Sequence, residues 1–206
     1  MTRKPVSGTE GYAEQAPLLL EQYEQWSGEE IHGPVMEYFP PAPAAIVDIG
    51  AGTGRDAGWF AALGHDVVAV EPIAELREPG KLLHPSPRIK WLNDSLPELA
   101  LLRGLNQKYE LVMLNAVWMH LDADQRTIAM KHLVTLMMPG ARLFMALRHG
   151  PVPQGRRMFD VSADETIALA ATHGLAPKHN IENESIQKDN RAAGVWWSKL
   201  ILELPI

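Results

Sequence analysis

The chain has no cysteine in its 206 residues. That removes disulfides, thiolate nucleophiles, zinc–thiolate centres and cysteine-ligated iron–sulfur clusters, and no metal site is expected. Long apolar runs are also missing. The longest, residues 133–147, is interrupted by Thr135, Pro139, Gly140 and Arg142, whereas a membrane span needs about 20 predominantly apolar residues. Residues 1–8 are polar and carry Arg3 and Lys4, and the leucines at 18–20 form too short a run beside glutamates for a signal core. No targeting segment is therefore read, and a cytoplasmic protein without a membrane partner is expected. Basic residues are scarce in the first half: none lies between Lys4 and Arg55, and residues 1–100 hold 7 basic against 15 acidic side chains. Residues 101–206 hold 12 against 10, and the whole chain carries −6. This balance argues against a dedicated nucleic-acid binder, which usually presents a basic face. What is present, 46% hydrophobic and 21% charged residues, suits one globular domain of this length. Nothing in the sequence sets the oligomeric state.

Pro40-Pro41-Ala42-Pro43 divides the chain into an N-terminal segment, residues 1–43, and a core, residues 44–206. Residues 10–39 read as helical, with breaks near Ser27-Gly28 and His32-Gly33-Pro34 and an apolar stripe at Leu18, Leu19, Tyr23 and Trp26. From Ala44 onward strands alternate with helices. Strands are expected at 45–49, 66–70, 89–92, 109–114 and 142–147, and helices at 55–63, 73–83, 96–105 and 122–137. A helix at 162–173 should open on Ser162-Ala163-Asp164-Glu165, which fits a capping box. Two last strands, near 176–183 and 195–204, are joined by too few residues for a crossover, so they return antiparallel. The alternation implies an α/β fold with a mainly parallel sheet covered by helices on both faces.

The most informative string is Val47-Asp48-Ile49-Gly50-Ala51-Gly52-Thr53-Gly54-Arg55-Asp56. A strand runs into three alternating glycines, which permit a tight turn and let a ligand lie on main-chain N–H groups. Gly52 to Ala57 also fits a dinucleotide fingerprint, so a nicotinamide oxidoreductase is a competing reading. Asp48 separates the two: a carboxylate at the strand end would repel a pyrophosphate and hold an ammonium group. Glu71, closing the second strand before Pro72, stands where an acidic side chain accepts from ribose hydroxyls. Together these describe an adenosyl ligand with a cationic amine and no pyrophosphate.

With these residues in place, the sequence resembles the class I S-adenosylmethionine-dependent methyltransferases. Val47 to Gly54 matches that family's first motif, Glu71 its ribose position, and Asn93-Asp94-Ser95 the strand end facing the adenine. Asn115-Ala116-Val117-Trp118-Met119-His120-Leu121 matches the motif beside the methyl group, and Pro139-Gly140 precedes the fifth strand as is typical. The resemblance implies one domain over 1–206, with a doubly wound seven-stranded sheet in the order 3-2-1-4-5-7-6. Its last strand is antiparallel, and a helical lid covers it at the N-terminus. It further implies S-adenosylmethionine as cofactor and S-adenosylhomocysteine as product. The residues it assigns to the cofactor are Tyr12, Asp48, Gly50, Ala51, Gly52, Thr53, Gly54, Arg55, Glu71, Pro72, Asp94, Ser95, Asn115 and Ala116. Asn115 without an Asp-Pro-Pro-Tyr-like string departs from the DNA-adenine enzymes.

On the acceptor side, His120, Arg148 and His149 are the candidate catalytic residues, His120 as base. Arg148 with Arg156 and Arg157 is expected to hold an anionic acceptor. Trp118, Trp196 and Trp197 read as packing. The expected partner is a small molecule. A non-catalytic adenosyl-binding protein and a methyltransferase acting on RNA or protein are the other readings.

Overall fold

A computed structural model describes residues 6–206. Seven strands form one sheet in the order β3-β2-β1-β4-β5-β7-β6. These are β1 (Ala45–Ile49), β2 (Asp66–Val70), β3 (Ile89–Leu92), β4 (Tyr109–Asn115), β5 (Met137–His149), β6 (Ala176–Glu184) and β7 (Trp196–Glu203). The first five pair parallel, while β7 runs antiparallel to both β5 and β6. The expected order and directions are therefore observed.

Alternation within the buried strands builds two apolar layers. Val47, Ile49, Val68, Val70, Leu114, Leu143 and Met145 face α6 (Ala123–Leu136) and α7 (Ala163–Ala171). Ile46, Val67, Ala69, Leu111, Met113 and Phe144 meet Ala57 and Phe60 of α3 (Arg55–Ala62) on the opposite face. Period-two alternation with both faces apolar is what a covered parallel strand requires. Asp48 shares the α3 face with Ile46, and so its carboxyl is buried at the open end of that layer.

Helix starts follow their side chains. Asp122 caps α6 in a full box with Gln125. Ser162 caps α7, but Glu165 does not reach back as expected; Arg126 draws its carboxylate into an ion pair at 3.1 Å. The expected helix over 96–105 shrinks to α5 (Ala100–Gly104), because Leu99 takes a left-handed φ of 47° and starts the helix late. The fifth strand starts earlier than expected: α6 ends at Leu136 and β5 begins at once, with a register shift before Arg142.

The N-terminal segment forms α1 (Ala16–Tyr23), α2 (Gly28–His32) and a 3-10 turn over Gly33–Tyr38. Leu18 is exposed, contrary to the expected stripe; Ala16 and Leu19 instead pack on Leu76 of α4 (Ala74–Leu83). Residues 6–15 run ahead of α1 as a strap across the carboxyl ends of the strands. Among the described residues, no helix is long and apolar enough to cross a membrane.

Candidate active site

At the carboxyl ends of β1, β2, β4 and β5 lies a cavity of about 630 Å³, the place where open α/β sheets bind ligands. The glycine loop forms one wall. Gly50, Gly52 and Gly54 take φ values of 76°, 57° and 84°, a region that L side chains enter at a cost. The Gly50 and Ala51 N–H groups donate to the Val70 carbonyl, which ties the loop to β2. At Gly50 a Cβ would come within 2.5 Å of the Val117 side chain. Gly54 stands behind the cavity rather than on its wall; it turns the chain into α3 where a Cβ would meet the Trp91 ring at 2.6 Å.

Glu71 clamps the loop. Its Oε2 accepts from the Gly52 N–H and its Oε1 from the Ile73 N–H, each at 2.8 Å. Each oxygen keeps a lone pair for a further donor. Burial pushes its pKa up to about 7, against the pull of those two N–H groups and Arg77. Asp48 is also buried, and its Oδ2 has no hydrogen-bond partner. Burial raises its pKa well above the carboxylate range, and neighbouring Asp56 adds to the rise. Asp56 goes the other way: burial works against its charge, but His32 and Arg55 outweigh it. Its carboxylate lies 3.1 Å from His32 Nε2 and accepts from Arg55 Nε at 2.9 Å and Asn115 Nδ2 at 2.8 Å.

Two buried carboxyl groups flank the glycine loop, Asp48 within β1 and Glu71 just past β2. With an oxygen of Asp48 still unpartnered, they suit a ribose diol and an ammonium group, and neither offers a pyrophosphate a positive charge. Tyr12, Asp48, Gly50, Ala51, Gly52, Thr53, Arg55, Glu71, Pro72, Asp94, Ser95, Asn115 and Ala116 all line the cavity. Asp94 also has a structural task, accepting from the Ser95 and Leu102 N–H groups at 3.0 and 2.9 Å. Thr53 and Arg55 hold the end of α1, Thr53 through Glu24 and Arg55 through the Tyr23 carbonyl.

The opposite wall carries His120, whose Nδ1 faces the Arg157 carbonyl at 2.7 Å and whose Nε2 faces the Tyr12 hydroxyl at 2.9 Å. Burial lowers its pKa, so the ring is neutral near pH 7. Arg148 lines the cavity, donates to the Pro151 carbonyl and makes no ion pair among the described residues. Arg156 and Arg157 do not form the expected anion pocket. Arg156 lies 3.6 Å over the Tyr12 ring and bonds Gln15 and the Glu10 carbonyl. Arg157 bonds Ser7, Gln125 and Asp122. Both are committed to holding the strap.

His149 is a correction to the expected catalytic set. It does not line the cavity; its Nε2 pairs with the buried Ser198 hydroxyl at 2.8 Å and its ring stacks on Trp196 at 3.8 Å. The end of β5 directs Arg148 and His149 to opposite faces of the sheet, and only one of those faces is the cavity. Trp118 is buried as expected, whereas Trp197 reaches the cavity wall.

Sequence reasoning missed the connection between β6 and β7, which supplies Ser185, Ile186, Gln187 and Asn190 to the cavity, and Lys199 of β7. Its one available signal was the alternation that puts Trp197 and Lys199 on the same face. Lys199 Nζ caps the Ile31 carbonyl at the end of α2, and burial lowers its pKa. Among the described residues, no three His, Asp or Glu side chains are grouped to hold a metal.

Known structures share this architecture. A 1,6-didemethyltoxoflavin-N1-methyltransferase from Burkholderia thailandensis, solved with 1,6-didemethyltoxoflavin and S-adenosylhomocysteine, is 17% identical, with a TM-score of 0.63 over 100% of this chain and 94% of that one. The magnesium protoporphyrin IX methyltransferase of Synechocystis PCC 6803, solved with S-adenosylmethionine, is 13% identical, with a TM-score of 0.65 over 94% and 84%. The [4+2]-cyclase SpnF is 12% identical, with a TM-score of 0.76 over 98% and 97%. At these identities the likeness is one of fold. No curated protein matches the chain by sequence. A family model for the methyltransferase domain matches residues 21–189, most of the chain and every strand but β7, and so the chain belongs to the methyltransferase-domain family, as an S-adenosylmethionine-dependent enzyme of class I.

Proposed function

We propose that the chain, acting as one domain over 1–206, methylates a small-molecule acceptor that carries an anionic group, in the cytoplasm. The observation that carries this reading is the cavity itself. About 630 Å³ is shared between the cofactor residues and the acceptor side, a size usual for small-molecule sites. The strap crosses its mouth, which leaves a folded macromolecule little room to present a side chain or base. The net charge of −6 also fits poorly with a nucleic-acid substrate.

S-adenosylmethionine supplies a methyl group on a sulfonium that needs no further activation. Glu71 would accept from the ribose hydroxyls, Asp48 would face the ammonium group, Asp94 and Ser95 the adenine, and Tyr12 would close the site from the strap. The remaining work of the chain is to align the acceptor and exclude water. Arg148, with no carboxylate partner, supplies the positive charge for an anionic acceptor group. His120, neutral and buried, supplies a base where the acceptor must lose a proton.

Isothermal calorimetry tests the cofactor half of this reading: S-adenosylmethionine and S-adenosylhomocysteine bind in the micromolar range and NADH does not. The acceptor half is tested by S-adenosylhomocysteine release over a panel of anionic aromatic and aliphatic acceptors. Arg148→Met should raise KM about tenfold or more, as loss of a charge-assisted contact does. Equal KM values for anionic and neutral acceptors would remove Arg148 from the site.

A further inference from the structure

Tyr12 sits on the strap, yet its hydroxyl is spent on His120, at 2.9 Å from Nε2. The other side of the ring decides which atom donates. His120 Nδ1 lies 2.7 Å from the Arg157 carbonyl oxygen, and a carbonyl can only accept, so Nδ1 carries the ring proton. Nε2 is then a lone pair, and the Tyr12 O–H donates to it. The one basic nitrogen of His120 is thus already covered by a tyrosine hydroxyl. Tyr12 and His120 both line the cavity; the Tyr12 oxygen has two lone pairs, so even with the Tyr23 hydroxyl beside it one is left to accept from an acceptor.

We propose that Tyr12 is a catalytic residue that passes the acceptor's proton to His120, and that the group methylated is an O–H or N–H, distinct from the acceptor's anionic group, rather than a carboxylate or thiolate. The proposal rests on the methyl-transfer reading above. The acceptor's X–H proton moves to the Tyr12 oxygen while the Tyr12 proton moves to His120 Nε2. The electron pair left on X forms the bond to the methyl carbon, and the carbon–sulfur bond breaks with its pair kept by sulfur. Tyr12 ends as a neutral phenol and His120 as an imidazolium whose Nδ1–H still donates to Arg157.

The surroundings favour transfer over storage. Burial raises the Tyr12 pKa, so a phenolate does not accumulate; Arg156 over its ring opposes the rise, Glu71 adds to it, and a hydrogen bond from Tyr23 and the charge of Arg148 pull against it. Around His120, burial and the cations Arg156 and Arg148 disfavour the imidazolium, against Glu10 and the Arg157 carbonyl. The proton therefore leaves His120 again once turnover is complete. A carboxylate or thiolate would bring no proton to this pair.

Nitrogen-15 NMR of histidine-labelled protein with S-adenosylhomocysteine provides a test that needs no acceptor. His120 should show a protonated Nδ1 and a bare Nε2 near pH 7, with a slowly exchanging Tyr12 hydroxyl proton that vanishes in Tyr12→Phe. An Nε2–H tautomer, or an imidazolium at pH 7, would overturn the relay. A kinetic test uses phenols of graded acidity with S-adenosylmethionine. Tyr12→Phe keeps its ring under Arg156 and should lose about 10²-fold in kcat on the weakest acid, progressively less on stronger ones, with KM little changed. A uniform loss across the series, as a structural role would give, would overturn it. So would a wild-type enzyme that methylates benzoates alone, with Tyr12→Phe unimpaired. Arg156→Gln is the control, loosening the strap with the hydroxyl intact and raising KM evenly across the phenols. Absence of cofactor binding to the wild type would sink the methyl-transfer reading along with the relay, whereas binding with the wrong tautomer sinks the relay alone.

Discussion

The glycine-loop side of the cavity is held by contacts of modest span, Asp94 to Leu102 across 8 residues, Glu71 to Gly52 across 19 and Asn115 to Asp56 across 59. In the acceptor half, Tyr12 meets His120 across 108 residues, Arg156 meets Gln15 across 141 and Arg157 meets Ser7 across 150. The first half is made of strand ends and main-chain turns, fixed once the parallel sheet forms. The second depends on a strap and two loops that meet only when the chain is fully folded. A scaffold that places the cofactor on strand ends and the acceptor on connecting segments can change its acceptor without rebuilding its core. The two halves should therefore break differently.

The largest effect is expected at Gly50. A side chain there meets Val117 at 2.5 Å while the backbone stays at φ 76°. Gly50→Val should abolish S-adenosylhomocysteine binding in calorimetry and lower Tm. Gly52→Ala is the comparison. Its Cβ comes only within 3.5 Å of the Tyr23 ring, leaving the left-handed backbone, about 1–2 kcal/mol, as the main cost. If the two variants lose affinity equally, the loop is not held against Val117.

The next effect is the pH dependence of Glu71. Its carboxyl has a pKa raised to about 7, so the folded protein binds that proton more tightly than the unfolded chain. Stability of the free protein should fall as pH rises from about 4.5 to about 7, where the unfolded carboxyl has ionised and the folded one has not. Ribose hydroxyls donate to the ionised form, so cofactor affinity should rise as pH passes through about 7, about tenfold between pH 6 and pH 8. In Glu71→Gln the calorimetric affinity should be weaker and flat with pH. A wild-type affinity that is already flat would place the ribose elsewhere.

Most of the glycine-loop wall of the cavity could be placed from the sequence, because its signals are local. Glycines after an apolar strand, an acidic residue closing the next strand, and Asn115 ending the fourth are all fixed by strand geometry. Gly54 also has a packing reason to be glycine, since a Cβ there would meet Trp91 of β3. The acceptor half was legible only in part. His120 could be placed on the cavity from its strand, but not its tautomer, since that is set by the carbonyl of Arg157. Arg156 and Arg157 read as an anion site because their strap partners, Ser7, Glu10, Tyr12 and Gln15, lie at the far end of the chain. The hairpin at 185–195 carries amides and a half-exposed aliphatic, with no spacing that announces a site.

Loosening the strap should touch one half only. Arg156→Ala with Arg157→Ala removes the cation over Tyr12 and the bonds to Ser7, Gln15 and Asp122. Hydrogen exchange at residues 6–15 should quicken by tenfold or more, while exchange in β1 and β2 stays unchanged. Protection that persists in the strap would mean that Glu24 and Arg55 at the end of α1 hold it without the arginines.

The smallest effect on ligand binding is expected at His149, although that residue adjoins Arg148 in sequence. Its ring lies against Trp196 and its Nε2 satisfies the Ser198 hydroxyl, which is 1% exposed. His149→Ala leaves that hydroxyl without its partner, at a cost of about 1–3 kcal/mol, seen as a lower midpoint in urea. Replacing Ser198 by Ala in the same protein should recover part of the loss, because the stranded hydroxyl is then gone. Affinity for S-adenosylhomocysteine should match the wild type in both variants, since no contact of His149 faces the cavity. Burial already lowers the pKa of this histidine; its folded form binds a proton less tightly than the unfolded chain, so its share of stability should be present above the ordinary histidine pKa and fade as pH falls below it. A tenfold loss of ligand affinity in His149→Ala, with the urea midpoint unchanged, would instead return His149 to the active site.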